Sequence, residues 1–185
     1  MITGHHAVVT GGAGFIGRHL VAGLLARGAA RVTVVDRPAG PDAVPLPRDA
    51  RLVFAPLVLG HGSAAALTPW LAEADTVFHL AAVKHHDAQR DPGRALDTNV
   101  GGTAAVAQAA RAAGVRRVVF ASSLYAYGRM TGPPFAETDA AAPDTVYGQS
   151  KLSGEQVLQR CAAEHGLGVT ILRYFFAYGP LPAPG

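Results

Sequence analysis

The chain has 185 residues, of which 49% are hydrophobic and 16% charged, and its formal net charge is +3 at pH 7. This composition is typical of one globular domain with a single sizeable core, and it excludes a disordered chain. The arginines are scattered and not clustered with aromatic residues, so we expect no nucleic acid partner. No apolar run is long enough to cross a membrane and no secretory signal opens the chain, which predicts a cytoplasmic protein without a membrane partner. Cys161 is the only cysteine, which excludes an internal disulfide.

A glycine-rich turn follows the first predicted strand. The apolar run at 7–9 leads into Gly11, Gly14 and Gly17, which have G-x-x-G-x-x-G spacing. Gly11 permits a tight turn, Gly14 lets the backbone approach a pyrophosphate, and Gly17 permits close packing of the following helix. That helix has a 3.6-residue apolar periodicity, and Gly28 stands where a C-terminal glycine is expected. Its N-terminus would face the phosphates of a dinucleotide with unpaired N–H groups, so the segment predicts dinucleotide binding.

The second predicted strand, 31–35, ends at Asp36. A carboxylate at this place accepts hydrogen bonds from both hydroxyls of an adenosine ribose and repels a 2′-phosphate, which favours NAD over NADP. The adjacent guanidinium of Arg37 is able to pair with a 2′-phosphate and weakens that preference. We assign both residues to the cofactor site.

The rest of the chain alternates strands and helices. A proline-containing loop is predicted at 38–49, and short helices are predicted after Ser63 and at Thr68. The remaining predicted strands are 51–59, 76–80, 115–121 and 168–173, and the remaining predicted helices are 94–113 and 147–165. This alternation predicts an α/β fold: a doubly wound parallel sheet of the Rossmann type in three α/β/α layers, with the site at the carboxyl ends of the strands.

Three polar residues predict catalytic chemistry. Ser123 stands at the end of the fifth predicted strand, and Tyr147 and Lys151 share one face of the following helix because they are four residues apart. The ammonium and a cationic nicotinamide ring would favour the phenolate of Tyr147, whose reference pKa is about 10. Tyr147 would then take the proton of an alcohol whose hydride passes to NAD, while Ser123 hydrogen-bonds the same oxygen.

Further motifs accompany these residues along nearly the whole chain. They are T-G-G-A-G-F-I-G at 10–17, F-H-L-A-A at 78–82, N-V-G-G-T at 99–103, S-S at 122–123, Y-G-Q-S-K at 147–151, L-R-Y-F at 172–175 and Y-G-P at 178–180. As a set they resemble the extended short-chain dehydrogenase/reductases, and within them the NAD-dependent epimerases and dehydratases that act on nucleotide sugars. The resemblance implies Ser123, Tyr147 and Lys151 as the catalytic triad, and a homodimer formed through the helices 94–113 and 147–165.

The resemblance also implies an NAD site built from residues in these motifs together with Asp36 and Lys84, and Arg37 beside Asp36 completes it. The predicted NAD-binding residues are Gly11, Gly14, Phe15, Ile16, Gly17, Asp36, Arg37, Leu80, Ala81, Ala82, Lys84, Asn99, Tyr147 and Lys151.

The chain also departs from the family's pattern. The 4,6-dehydratases carry an Asp-Glu pair just after the catalytic serine or threonine, and Leu124-Tyr125 stands there, which disfavours dehydration. Lys84-His85-His86 is similar to the Lys-His of another dehydratase branch and keeps that alternative open. Phe176 replaces an asparagine that meets the substrate, and no aspartate lies at 56–58, where the family often contacts adenine. The adjacent histidines point apart, so we predict no metal site.

Family members continue into a smaller lobe that holds the substrate nucleotide, whereas this sequence stops at Gly185. We interpret 1–185 as an NAD-binding domain that carries the Ser/Tyr/Lys site, with the C-terminal substrate lobe absent or truncated. Three hypotheses follow: an NAD-dependent epimerase or oxidoreductase acting on a nucleotide sugar through a transient ketone, a nucleotide-sugar 4,6-dehydratase, and a non-catalytic NAD-binding module or partner subunit. The intact triad favours the first.

Overall fold

A six-stranded parallel sheet forms the centre of the molecule. The computed structural model describes residues 2–38, 40, 45–129, 132 and 136–180. The strands are β1 His6–Thr10, β2 Arg31–Asp36, β3 Leu52–Pro56, β4 Thr76–His79, β5 Arg117–Ser123 and β6 Gly168–Tyr174. Their order is β3-β2-β1-β4-β5-β6, which confirms the predicted doubly wound sheet. The switch point, where such sheets open a ligand crevice, lies between β1 and β4.

Helices cover both faces of the sheet. They are α1 Phe15–Ala26, α2 Ala64–Leu67, α3 His85–Arg90, α4 Pro92–Leu96, α5 Gly102–Ala112 and α6 Val146–His165. Short 3-10 turns occupy Thr68–Leu71 and Leu124–Ala126, and a π-helical turn occupies Asp97–Gly101. No helix among the described residues combines the length and the apolar character that a membrane span needs.

The core has two parts, one on each face of the sheet. On the α1 face, Val9 and Val34 pack with Leu24. On the opposite face, Phe120 of β5 packs with Leu158 of α6. This division follows from the parallel strands, whose alternate side chains point to opposite faces and are covered on both.

Two expected elements differ from the structure because of tertiary contacts, and one short helix was not expected. The third strand ends at Pro56, since β2 ends at Asp36 and, among the described residues, the pairing continues only with the hydrogen bond from Leu57 N to Asp36 O. The long helix expected at 94–113 begins at Pro92 and is divided by the π-helical turn. The helix α3 was not predicted at all.

Parts of two expectations lie outside the described residues. These are residues 39 and 41–44 of the loop expected at 38–49, and the end of the sequence at 181–185.

Candidate active site

A cleft of about 1180 Å³ opens at the carboxyl edge of the sheet, beside the switch point. It brings together all but one of the residues that the sequence predicted for catalysis and cofactor binding. Those lining it are Gly11, Gly14, Phe15, Ile16, Gly17, Asp36, Arg37, Leu80, Ala81, Ala82, Lys84, Ser123, Tyr147 and Lys151.

The glycine turn closes the cleft floor by a very close approach of two backbone segments. Gly11 has a φ of +70°, and a Cβ on it would lie 2.6 Å from the backbone nitrogen of Ala81. A Cβ on Gly14 would meet nothing nearer than the Gly11 carbonyl oxygen at 3.2 Å. Gly14 also precedes α1, whose first turn has neither a side-chain cap nor an acidic side chain. These features leave the helix N-terminus available to an anion.

Asp36 lies across the turn and is tied to it. Its carboxylate accepts hydrogen bonds from the backbone N–H of Ala13, at 2.9 Å, and of Arg37, at 2.8 Å. Each carboxylate oxygen keeps a further lone pair, so Asp36 is able to accept ribose hydroxyls as well as anchor the turn.

Tyr147 and Lys151 are placed by the start of α6. The Thr145 hydroxyl accepts the N–H of Gly148 at 3.0 Å and so caps the helix. Lys151 is 3% exposed, and its Nζ donates to the carbonyl oxygen of Ala121 at 2.9 Å. The same Nζ lies 5.7 Å from the centroid of the Tyr147 ring. The ammonium therefore lies between the end of β5 and the phenol.

Burial shifts the pKa of both groups. It lowers the pKa of Lys151 to about 8, against an opposing effect of Glu155. It also raises the pKa of Tyr147, while a hydrogen bond with Ser123 acts in the opposite direction. The sequence led us to expect a phenol biased towards its anion, and this chain by itself does not provide that bias. Because the expectation included a cationic nicotinamide ring beside the phenol, it concerns the cofactor-bound state.

Asn99 is the predicted cofactor residue that does not line the cleft. It is 1% exposed, and its side chain accepts the N–H of Val83 at 2.7 Å and donates to the Val83 carbonyl at 3.1 Å and to Ser150 Oγ at 2.9 Å. Its polar atoms are used inside the core, so Asn99 does not present them to the cleft in this structure. Asn99 instead joins the segment after β4 to the helix that carries Tyr147 and Lys151.

Some cleft residues were missed by the sequence reading. Arg18 is buried, and its guanidinium donates to the carbonyl oxygens of Ala13, at 2.8 Å, and Pro45, at 2.7 Å. Arg18 directly follows the last glycine of the motif, and this position could have indicated that it lies at the cleft. Arg94 and Thr98 also line the cleft, but no sequence signal separated them from their helical neighbours.

An aromatic cluster stands behind Tyr147, where the dehydratase acid–base pair would lie. The rings of His85 and Tyr125 stack with centroids 4.5 Å apart, and Tyr125 lies edge-on to Tyr147 at 5.7 Å. Leu124 is buried, so this position holds an aliphatic and an aromatic side chain in place of carboxylates. The described residues contain no group of three or more His, Cys, Asp or Glu side chains arranged to hold a metal ion.

Comparison with known proteins gives one consistent family. The model of the NAD dependent epimerase/dehydratase family matches residues 7–185. A UDP-glucose 4-epimerase of Azospirillum brasilense is 36% identical over 180 residues, which cover 95% of this chain and 50% of that protein. The chain spans about half the length of the curated relatives it matches.

Solved structures agree with this result. A UDP-N-acetylglucosamine 4-epimerase of Methanobrevibacter ruminantium M1, in complex with UDP-N-acetylmuramic acid, superposes with a TM-score of 0.87 at 30% identity, covering 97% of this chain and 57% of that one. A dTDP-glucose 4,6-dehydratase of Streptomyces venezuelae with NAD bound has a TM-score of 0.80 at 34% identity, covering 91% and 55%.

Proposed function

Because the chain belongs to the NAD-dependent epimerase/dehydratase family, we propose that its cleft binds NAD and serves an epimerase that acts on a nucleotide sugar. The whole protein would oxidise a secondary hydroxyl of the sugar to a transient ketone and then reduce it again. The observation that carries the proposal is that Ser123, Tyr147 and Lys151 line the same cleft as the glycine turn and Asp36.

The residues present fit NAD. The glycine turn and the N-terminus of α1 would hold the pyrophosphate, because this segment offers backbone N–H groups and no obstructing Cβ at Gly14. Asp36 would accept the hydroxyls of the adenosine ribose. Lys151 would hold the nicotinamide ribose, and the bound nicotinamide would supply the hydride acceptor and donor. Asn99 would act through Val83 and Ser150.

Tyr147 is the proposed proton acceptor. In the chain alone its phenol is neutral at pH 7, because burial raises its pKa. The charged Lys151, together with the hydrogen bond from Ser123, would favour its phenolate once positive charge enters the cleft. The phenolate then takes the hydroxyl proton of the sugar as the ketone forms and returns that proton when the ketone is reduced. Ser123 would hydrogen-bond the reacting oxygen in both directions.

Two other functions have weaker support. A 4,6-dehydratase needs an acid and a base beyond the triad, and Leu124 and Tyr125 supply no carboxylate there, although the similar structures include those of a dehydratase. A non-catalytic NAD-binding module is supported by the half-length match to the relatives and opposed by the assembled triad.

The remaining parts of the proposal concern the whole protein. A lobe outside this sequence would bind most of the substrate nucleotide, since the relatives are about twice as long as the match. The protein would be a cytoplasmic homodimer that pairs through α5 and α6, which pack side by side.

The test uses the 185-residue chain with NAD and a panel of UDP- and dTDP-hexoses and hexuronates, with products resolved by chromatography. Where turnover is found, Tyr147→Phe should reduce it by at least about 100-fold and leave the NAD dissociation constant within about threefold, because the phenol oxygen transfers the proton. Tyr178→Phe is the matched control, since Tyr178 is 94% exposed and should leave turnover unchanged. Normal turnover by Tyr147→Phe would refute the assigned role, and NAD binding without any turnover would indicate a cofactor-binding half that needs the substrate lobe outside this sequence.

A further inference from the structure

Tyr147, Lys151 and Glu155 form a ladder along one face of α6. They are spaced at four-residue intervals, so each lies one helical turn from the next. The first two line the cleft, whereas Glu155 lies behind them and is 2% exposed. A buried carboxylate one turn below a buried ammonium is costly unless both are held by partners.

The Glu155 carboxylate is held from two strands. Arg173 of β6 donates from Nε to Oε1 at 2.9 Å and from Nη2 to Oε2 at 2.7 Å. Ser122 of β5 donates its hydroxyl to Oε1. The guanidinium of Arg173 in turn lies 4.3 Å from the centroid of the Tyr127 ring. These donors compensate for the water that the carboxylate has lost, and they fix its position relative to α6.

A nearby anion favours the charged form of Lys151 in this buried place. Burial alone lowers its pKa, and Glu155 acts against that effect, so that the resulting value is about 8. His79 of β4 is uncharged, because burial lowers its pKa to about 3 and keeps its ring neutral. The positive charge of Arg173 on β6 is paired with Glu155, and Tyr147 is a neutral phenol in the chain alone.

The groups that β5 places next to Lys151 carry no negative charge. On β5, the Ala121 carbonyl accepts from the ammonium and the Phe120 ring lies 5.0 Å from Nζ. Other ionisable side chains lining the cleft are Arg18, Asp36, Arg37, Lys84, Asp87, Arg94 and Tyr174.

We propose that Glu155 is a positioning residue of this site, whose carboxylate, one helical turn from Lys151, favours the ammonium form that donates to the Ala121 carbonyl. The claim that this ammonium favours the phenolate of Tyr147 rests on the proposed function. The protonation state of Lys151 does not rest on the proposed function, and it can be measured directly. Ser122 and Arg173 serve the same end by holding the carboxylate.

The chain has only two lysines, which makes the measurement simple. In protein labelled with lysine carrying ¹³C at Cε, the shift of Lys151 is followed against pH by NMR, and a Lys84→Arg variant assigns the two signals. The wild-type midpoint is expected near pH 8. Glu155→Gln keeps the shape and an acceptor for Ser122 but removes the charge, and should lower the midpoint by about one pH unit or more. Glu164→Gln, at an exposed carboxylate of the same helix, should leave it unchanged.

Glu155→Gln leaves the guanidinium of Arg173 without its buried partner, which destabilises the fold, so Glu155→Gln/Arg173→Gln is made alongside it. The double variant removes the buried Glu155–Arg173 pair as a whole and so leaves no unpaired guanidinium, and its Lys151 midpoint should also lie below that of the wild type. An unchanged midpoint in either folded variant, or an equal shift in Glu164→Gln, would overturn the proposal. The titration needs neither NAD nor a sugar, so a failure of the proposed reaction leaves its result standing, and the reverse also holds.

Discussion

The carboxylate of Asp36 serves both the glycine turn and the cleft. Its carboxylate accepts the N–H of Ala13 and the N–H of Arg37, so it fixes the glycine turn before any ligand is present. The same group lines the cleft where the adenosine ribose would lie. The first role was not visible in the sequence, because it depends on the distance between the end of β2 and a turn that lies earlier in the chain.

We expect Asp36→Ala to weaken NAD binding by roughly tenfold or more, since a hydrogen bond to a charged group contributes about 1.5–3 kcal/mol. The ratio of NADP to NAD affinity should rise, because the carboxylate no longer repels a 2′-phosphate. Isothermal titration calorimetry with both cofactors measures these effects. Asp139→Ala, at an exposed loop residue outside the cleft, serves as the control. Equal NAD affinity in Asp36→Ala and the wild type would remove Asp36 from the site.

At the scale of an element, α1 contains a matched pair of glycines. A Cβ on Gly17 would meet the carbonyl oxygen of Gly11 and lie 2.6 Å from Cα of Gly12, both of which are backbone atoms of the turn. A Cβ on Gly23 would meet only the far end of the Arg27 side chain, at 3.2 Å. The two positions therefore share a helix but differ in whether the neighbour is able to move.

Gly17→Ala should lower the free energy of unfolding by about 1–3 kcal/mol, because the turn must shift to admit the methyl group. Gly23→Ala should be neutral or should raise it by up to about 1 kcal/mol, since alanine favours the helix and the Arg27 side chain moves aside. Urea unfolding of the two variants gives both values. Comparable stability of Gly17→Ala and Gly23→Ala would show that the turn does not pack as described.

The contrast between α1 and the segment around α4 explains how much the sequence could predict. The strand, glycine turn and helix at 6–26 are encoded by neighbouring residues, so local pattern was sufficient. The π-helical turn at Asp97–Gly101 depends on distant packing: a Cβ on Gly101 would lie 2.8 Å from the backbone nitrogen of His61, and Asp97 accepts that same N–H. Periodicity predicts a continuous helix there. Glu155 was overlooked for a similar reason, because its partners lie on two separate strands.

At the scale of the whole molecule, His79 joins several elements through a buried chain of hydrogen bonds. Thr103 donates its hydroxyl to the Asn99 carbonyl at 2.6 Å, so it accepts the Nε2–H of His79 at 2.9 Å. Nδ1 of the ring therefore accepts the hydroxyl of Thr10, at 2.7 Å. Thr10 is the last residue of β1, and its oxygen also accepts the N–H of Ala81 at 3.4 Å. The chain thus connects the core to the backbone that lines the cleft, and it requires a neutral ring.

This network predicts a loss of stability in acid. Burial lowers the pKa of His79 from 6.5 to about 3, so between these values the unfolded chain binds a proton that the folded chain does not. Stability from this group is present above pH 6.5 and is lost as the pH falls, by about 1.4 kcal/mol for each pH unit in that window. Burial also lowers the pKa of His6, which adds an effect of the same sign. Urea unfolding at several pH values from 7 to 4.5 should therefore show a shallower pH dependence for His79→Gln than for the wild type, whatever the stability of the variant at pH 7. If the two dependences ran parallel, the neutral, fully paired ring inferred for His79 would be wrong.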